Sequence, residues 1–437
     1  MQQGKVASIW EEQQGLLFQE KAFLVAVDTG VNAGWTAEES LQELAALVRA
    51  SGDEVIGSLV QRREMSHPQY YVGRGKAEEL KAAKGVLGFT MLVADDELSA
   101  RQQRSLEELL KVKVVDRSSV ILDIFAQRAR THEGRIQVEL AQLEYQLPRL
   151  RRMWSHLSRL GGGAGGARRG PGETQLEVDR RVIRERIKRI RERVEEVRQR
   201  RETAARARQR GLLPAVAIVG YTNAGKSTLL NALVGEEVVL AKDMLFATLD
   251  PTVRRVRLRD GQTVIASDTV GFIHKLPHQL IDAFHATLEE VARADVIIEV
   301  VDMADRHASE HRLTVRKVLD ELGAGHKPRI VALNKVDLIR EPIGSLRTRV
   351  VTRDDQHVVT ISALSGEGVD RLRDVLAEVL AELWPEVDVA VPYSAGELLA
   401  RLRERGAVQF EYRENDVRVI GRVPPSVLGD LRRATRR

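Results

Sequence analysis

The residues best suited to chemistry lie in a few short stretches. The first is Gly220-Tyr221-Thr222-Asn223-Ala224-Gly225-Lys226-Ser227. It follows an apolar run, Ala215 to Val219, of the length and type of a buried strand. An apolar-periodic helix is predicted to begin at Thr228. A glycine-bounded loop between strand and helix is the phosphate-binding P-loop pattern in its required setting. Backbone N–H groups of such a loop and the helix N-terminus form a concave anion site. Lys226 has the reach for β- and γ-phosphates, and the Ser227 hydroxyl suits Mg²⁺. A chance match in a glycine-rich turn would lack partners further along the chain.

Those partners are present, each after a predicted strand. Asp268-Thr269-Val270-Gly271 follows Val264 to Ser267. An aspartate there can hold Mg²⁺ through water, and the Gly271 N–H can meet a γ-phosphate. Asn334-Lys335-Val336-Asp337 follows Ile330 to Leu333. Asp337 can accept from guanine N1–H and N2–H₂, which adenine does not offer, while Asn334 orients the loop and Lys335 covers the base. A buried carboxylate left without donors is costly, so this stretch selects GTP over ATP. Ser362-Ala363-Leu364 follows Val358 to Ile361, where a backbone N–H can reach guanine O6. Phe246-Ala247-Thr248-Leu249-Asp250-Pro251-Thr252 falls where the first switch segment belongs. Thr248 is the expected Mg²⁺ and γ-phosphate contact, with Thr252 the second choice. Together the motifs resemble those of a P-loop GTPase with GTP/GDP as its ligand. Phe272 stands where many regulatory GTPases have a glutamine that orients water, so intrinsic hydrolysis is expected to be slow. A group supplied by backbone, cation or partner must then complete the site. Asn223 is a candidate K⁺ ligand, as the same asparagine is in GTPases of the translation class.

The elements that position these motifs follow from the rest of the 437 residues, roughly three domains' worth at about 150 residues each. Residues 1–135 read as an N-terminal α/β domain with a partly parallel sheet. Its strands are expected at Phe23–Val27, Val55–Leu59, Thr90–Ala94 and Val112–Val115. Within it, His67 to Lys76 lacks P-loop spacing and reads as a turn opening a helix. Asp95-Asp96 reads as a solvated turn. Residues 211–384 read as the G domain, a doubly wound, mostly parallel sheet with ligands at the strand C-terminal ends. Residues 385–437 read as a small α+β domain.

Residues 136–210 differ in kind. Ile136, Leu140, Leu143, Leu147, Leu150, Trp154 and Leu157 form one heptad seam; Ile183, Ile187, Ile190, Val194 and Val197 form another. Gly161 to Gly172 lies between them. The simplest expectation is an antiparallel helical hairpin, kinked at Pro148, with a glycine-rich tip. Arg180 to Arg210 holds fourteen Arg or Lys against five Glu. A merely solvated face would mix signs, so this excess points to phosphate, and folded RNA fits a long basic tip better than a DNA groove. The chain's net charge is +5, and 4% aromatic content argues against extensive base-stacking platforms. No apolar run has the length of a membrane span, and no signal-peptide core opens the chain, so a cytoplasmic protein is expected. With no cysteine there is no thiolate chemistry. The heptads are satisfied within one chain, so a monomer is expected.

Four stretches go beyond a generic GTPase: RGPGETQLEVDRR (Arg169 to Arg181), RTHEGRIQVELAQLEYQLPRL (Arg130 to Leu150), GYTNAGKSTLLNAL (Gly220 to Leu233) and LFATLDPT (Leu245 to Thr252). With them the chain resembles the HflX family. The resemblance implies a GTPase that binds the ribosome, chiefly the 50S subunit and its rRNA. Such proteins rescue or split stalled or stressed ribosomes, which stimulate their hydrolysis. It carries GTP contacts to Gly220–Ser227, Phe246–Asp250, Asp268–Gly271, Asn334–Asp337 and Ser362–Leu364, and Mg²⁺ to Ser227 and Thr248. Two other roles stay open on the residues alone: large-subunit assembly, and an RNA-binding or chaperone module gated by GTP.

Overall fold

The computed structural model describes residues 19–30, 34–149, 175–210, 213–235, 245–246, 252–259, 261–277, 280, 290–339, 350–352, 355–403, 408–423 and 425–435. Contacts divide the chain into two units, Met1–Ile124 with Tyr145–Gly172, and Phe125–Glu144 with Glu173–Arg437.

The first unit holds a four-stranded sheet, all parallel, in the order β2-β1-β3-β4. Its strands are β1 (Lys21–Asp28), β2 (Glu54–Arg62), β3 (Met91–Ala94) and β4 (Lys113–Asp116). Helices α1 (Ala37–Ser51), α2 (Arg74–Leu87) and α3 (Ala100–Leu110) connect them. Six successive residues of β1 are buried, as a strand covered on both faces requires. Thr36 and Glu39 form a reciprocal capping box that starts α1. The turn after β3 is not the solvated one expected. Asp95 is buried and takes hydrogen bonds from Ser40 Oγ at 2.7 Å and Arg117 Nη2 at 2.6 Å. Arg117 is itself 1% exposed and also reaches Glu43 at 2.6 Å. Its partner lies 22 residues away, a distance over which local turn chemistry carries no information.

Helix α4 (Arg117–Arg128) follows, then α5 (His132–Gln146) and α6 (Gln175–Arg210). Helix α5 ends at Gln146, short of Pro148 instead of kinking there; a residue before proline is pushed out of the helical region. Helix α6 is about 54 Å long at 1.5 Å per residue, with Ile187 and Ile190 buried and the positions between them exposed. Two ion pairs join α5 and α6: Glu139 to Arg186 at 2.5 Å and Glu144 to Arg191 at 2.7 Å. Both partners advance by five residues together. An antiparallel pair would have one number rise as the other falls, so the expected antiparallel sense is corrected here to a parallel one. The connection from 147 to 174 is far longer than the two to eight residues that make adjacent helices antiparallel. The expected seam residues Leu150, Trp154 and Leu157 and the glycine-rich tip lie outside the described residues.

The second unit is built on a six-stranded sheet in the order β10-β9-β8-β5-β7-β6. The strands are β5 (Ala215–Gly220), β6 (Thr252–Arg257), β7 (Thr263–Asp268), β8 (Val296–Asp302), β9 (Arg329–Asn334) and β10 (His357–Thr360). All pairs are parallel except β6 with β7. Side chains alternate across β5. Val216 and Ile218 pack with α7 (Lys226–Val234) and α9 (Val369–Leu383); Ala217 and Val219 pack with α8 (Ala308–Glu321). Helix α9 buries Leu372, Leu376 and Leu380, each contributing about 1.5–3 kcal/mol. The order reverses at β5, between β7 and β8, which makes the C-terminal end of β5 the switch point where such sheets bind ligands.

Beyond α9, the antiparallel strands β11 (Glu386–Pro392), β12 (Val408–Tyr412) and β13 (Asp416–Arg422) form a sheet in the order β11-β13-β12. Helices α10 (Gly396–Arg403) and α11 (Pro425–Ala434) close its core through Leu402, Val427 and Leu431.

Helix α8 is fixed to the large sheet by a buried ion pair. Arg312 donates to both oxygens of Glu299, in mid-β8, at 2.8 Å each, and to Asp355 at 2.9 Å. Glu299 is 0% exposed. Removing Arg312 leaves buried Glu299 with the longer Arg329 contact at 3.5 Å, so Arg312→Leu is expected to lose about 3 kcal/mol of stability, measured by urea unfolding. A loss under about 1 kcal/mol would contradict this.

Candidate nucleotide site

The loop after β5 folds back on itself around Lys226. Its ammonium donates to the Tyr221 carbonyl at 2.7 Å, and the residue is 6% exposed. Burial lowers its pKa to about 8, with Asp268 opposing and Lys335 reinforcing the shift. Gly225 has φ +96°, and a Cβ there would lie 2.3 Å from Asn334 Nδ2. Both the left-handed backbone and the close approach demand glycine. Asn223 is exposed at φ +61°, a region asparagine tolerates better than most residues.

Three further expected stretches converge on this loop. Asp268, at the end of β7, accepts from Ser227 Oγ at 2.7 Å. Gly271 lies against the loop so closely that a Cβ would meet Thr222 at 2.9 Å and Lys226 Nζ at 3.0 Å. Thr269 turns inward to donate to the Ile218 carbonyl at 2.8 Å, and Val270 is buried, so both side chains belong to the interior. Asn334, at the end of β9, is 2% exposed and makes two bonds with opposite roles. Its Nδ2 donates to the Ala224 carbonyl at 2.8 Å, and its Oδ1 accepts from Ala363 N at 2.9 Å. One amide thus joins the Gly220–Ser227 loop to the Ser362-Ala363-Leu364 turn.

Lys335 sits at φ +64°, paired to Asp302 at 2.7 Å. Asp337 is exposed in a single 3₁₀ turn with Val336 half-buried beside it. Ser362 is fully buried, with its Oγ accepting from Ser365 N at 3.2 Å, while Leu364 is 82% exposed. Phe246 is buried at φ +55°, its ring edge-on to Phe125 with centroids 4.5 Å apart. Ala247, Thr248, Leu249 and Asp250 lie outside the described residues. Thr252 opens β6, where it pairs with Asp268.

Phe272 is clasped to the loop by backbone: Thr222 N donates to its carbonyl at 2.8 Å, and its N–H donates to Gly220 O at 3.1 Å. Its side chain is in the core with Val219, Ile297 and Val315. Asp302, His274 and His311 also touch the site, and motif reading missed all three. Asp302 and His274 are signalled only by position, at or just past a strand or motif end, and His311, inside α8, carries no such signal.

Replacing Asn334 by Ala would leave the buried Ala224 carbonyl and Ala363 N–H without this partner. Loss of buried partners costs about 1–3 kcal/mol, so Asn334→Ala is expected to weaken GDP binding by about 10–100-fold, read by fluorescent-GDP titration. An unchanged affinity would show that the bridge is dispensable.

Residues 38–126 match a family model described as GTP-binding GTPase N-terminal, and 128–208 one described as GTP-binding GTPase middle region. Residues 215–335 match one described as 50S ribosome-binding GTPase. The GTPase HflX of Caldanaerobacter subterraneus subsp. tengcongensis is 45% identical over 95% of this chain and 93% of that protein. The GTPase HflX of Escherichia coli strain K12 is 43% identical over 86% of this chain and 88% of that protein. The crystal structure of SsGBP in complex with GDP is 25% identical, with a TM-score of 0.46, and covers 83% of this chain and 99% of that one. With relatives this similar over nearly its whole length, the chain belongs to the HflX family of GTPases.

Proposed function

We propose that this GTPase is a switch that binds the ribosome, chiefly the 50S subunit and its rRNA, and splits or rescues stalled ribosomes. The match of residues 215–335 to a 50S ribosome-binding GTPase model carries the reading. The charge of α6 supports it: Arg181, Arg184, Lys188, Arg189 and Arg193 are all exposed along one helix, the arrangement that phosphate contact requires. The chain acts as four segments, 1–135, 136–210, 211–384 and 385–437, and as a monomer. A cytoplasmic setting accords with a ribosomal partner. Among the described residues no helix is long and apolar enough to cross a membrane.

In this reading Gly220 to Ser227 cradles the phosphates, with Lys226 on the β- and γ-oxygens and the Gly271 N–H at the γ-phosphate. Asp337 accepts from guanine, and the Ser362-Ala363-Leu364 turn meets O6. The Ser227 hydroxyl beside Asp268 is the oxygen-rich corner that a hard cation needs. Mg²⁺ would be held there by Ser227, with Thr248, and would supply charge neutralisation on the phosphates. Asn223 is the proposed K⁺ ligand. The Phe272 ring is turned into the core, so no side chain at that position orients water. Slow turnover alone, and completion of the site by the ribosome, follow.

The test is GTP turnover by the full chain in Mg²⁺ and K⁺, alone and with 50S subunits. A group supplied by a partner is worth about 10³–10⁵ in rate, so strong stimulation is expected. Equal rates would refute ribosomal completion, and equal rates in Na⁺ and K⁺ would refute the K⁺ site. Release of small subunits from intact ribosomes by the GTP-loaded chain, seen by gradient sedimentation, is the expected sign of splitting. Intact ribosomes would refute it.

A further inference from the structure

The backbone of Tyr221 belongs to the phosphate-facing loop, but its side chain sits at a junction of three segments. The ring lies flat on the His311 imidazole of α8, centroids 3.7 Å apart and planes 10° from parallel. The hydroxyl accepts the His274 N–H at 2.7 Å. The carbonyl accepts Lys226 Nζ, and the backbone bridges to Phe272. Tyr221 therefore touches the loop, the chain just past Gly271, and a helix outside both.

The shelf beneath the ring is rigid. His311 is followed by Arg312, whose guanidinium is locked to Glu299 and Asp355. Burial pushes the His311 pKa down to about 4, Asp305 opposes the shift and His307 adds to it. The shelf is thus a neutral ring at neutral pH. A flat pair of neutral rings can be replaced by another aromatic pair without a change of charge.

We propose that Tyr221, seated on His311, is a positioning residue for GTP hydrolysis. It fastens the chain after Gly271 to the phosphate-facing loop, so that the Gly271 N–H is already set where the γ-phosphate arrives. Two backbone bonds of Phe272 hold the chain just past Gly271 to the loop. The His274 N–H bond to the Tyr221 hydroxyl adds a hold that depends on a side chain, one whose ring rests on α8, outside the nucleotide motifs. A fastener of this kind acts on the arrangement reached for hydrolysis, and leaves the groups that hold the nucleotide untouched. The proposal rests on the assignment of Gly271 to the γ-phosphate made above.

The experiment measures kcat and KM for GTP, fluorescent-GDP affinity and thermal midpoint on the full chain without ribosomes. Tyr221→Phe keeps the ring and removes the acceptor for His274. Loss of one hydrogen bond is worth roughly fivefold, so kcat is expected to fall about fivefold while KM and GDP affinity stay within about twofold. His311→Ala removes the shelf and is expected to lower kcat similarly, and His311→Phe to restore it. An unchanged kcat in Tyr221→Phe overturns the proposal. So does a fall in kcat matched by a rise in KM, or one in His311→Ala that His311→Phe does not restore. Gly271→Ala, whose Cβ would lie 2.9 Å from the Thr222 backbone and so push the residue-271 N–H out of place, separates the two levels of the argument. If it keeps full turnover, the γ-phosphate assignment itself fails. If it loses turnover while Tyr221→Phe does not, the positioning role alone fails.

Discussion

The nucleotide-facing half of this protein depends on the two hydrogen bonds of one buried amide. Asn334 donates to Ala224 and accepts from Ala363, tying the Gly220–Ser227 loop to the Ser362-Ala363-Leu364 turn across 110 and 29 residues of chain. An aspartate could accept but not donate, and a leucine of similar size could do neither. Nothing else about the bridge is free to vary. Gly225 has to lack a side chain to let the amide in. Strand β9 has to end at Asn334, and its register with β8 sets Asp302 opposite it. That register also brings Asp302 beside Lys335, whose ammonium it holds. The spacing between the Gly220–Ser227 loop and the Ser362-Ala363-Leu364 turn is thereby fixed by the fold.

Both units use a second device, an arginine buried in a carboxylate cluster at a helix–sheet junction. Arg117 joins Asp95 and Glu43, and Arg312 joins Glu299 and Asp355. Removing charges from water costs nearly as much as pairing them returns, so such clusters contribute little net stability. Their effect is on geometry. A helix that packs by apolar contact alone can slide or rotate at small cost, whereas a bidentate guanidinium admits one arrangement. On α8 this arrangement seats His311 under Tyr221.

The nucleotide motifs were legible in the sequence because each is short, local and set at a strand end. Asp268, Asn334 and Ser362 were all expected one residue past a strand, and each lies within a residue or two of such an end. Strand β6 was not expected. Its sequence, TVRRVR, sets three arginines among two valines on an edge, and its first residue, Thr252, also ends the expected switch segment. Burial of Asp95 depends on an arginine further along the chain, and the stacking of Tyr221 on His311 on a residue 90 positions away. The shared sense of α5 and α6 depends on a long connection. No periodicity or motif carries such information, since it arises when separate elements dock. Phe272 shows the boundary well. The sequence marks it as the wrong residue to orient water, and the fold alone reveals that it has become a core residue.

That burial has a further consequence. Were the residue-272 ring facing solvent, a substitution to glutamine would place an amide beside the loop at little cost. Here the same substitution would push an amide among Val219, Ile297 and Val315, where it would lack hydrogen-bond partners and lower stability. Packing as well as chemistry therefore weighs against a side-chain amide at this position, since the substitution that would introduce one first damages the fold.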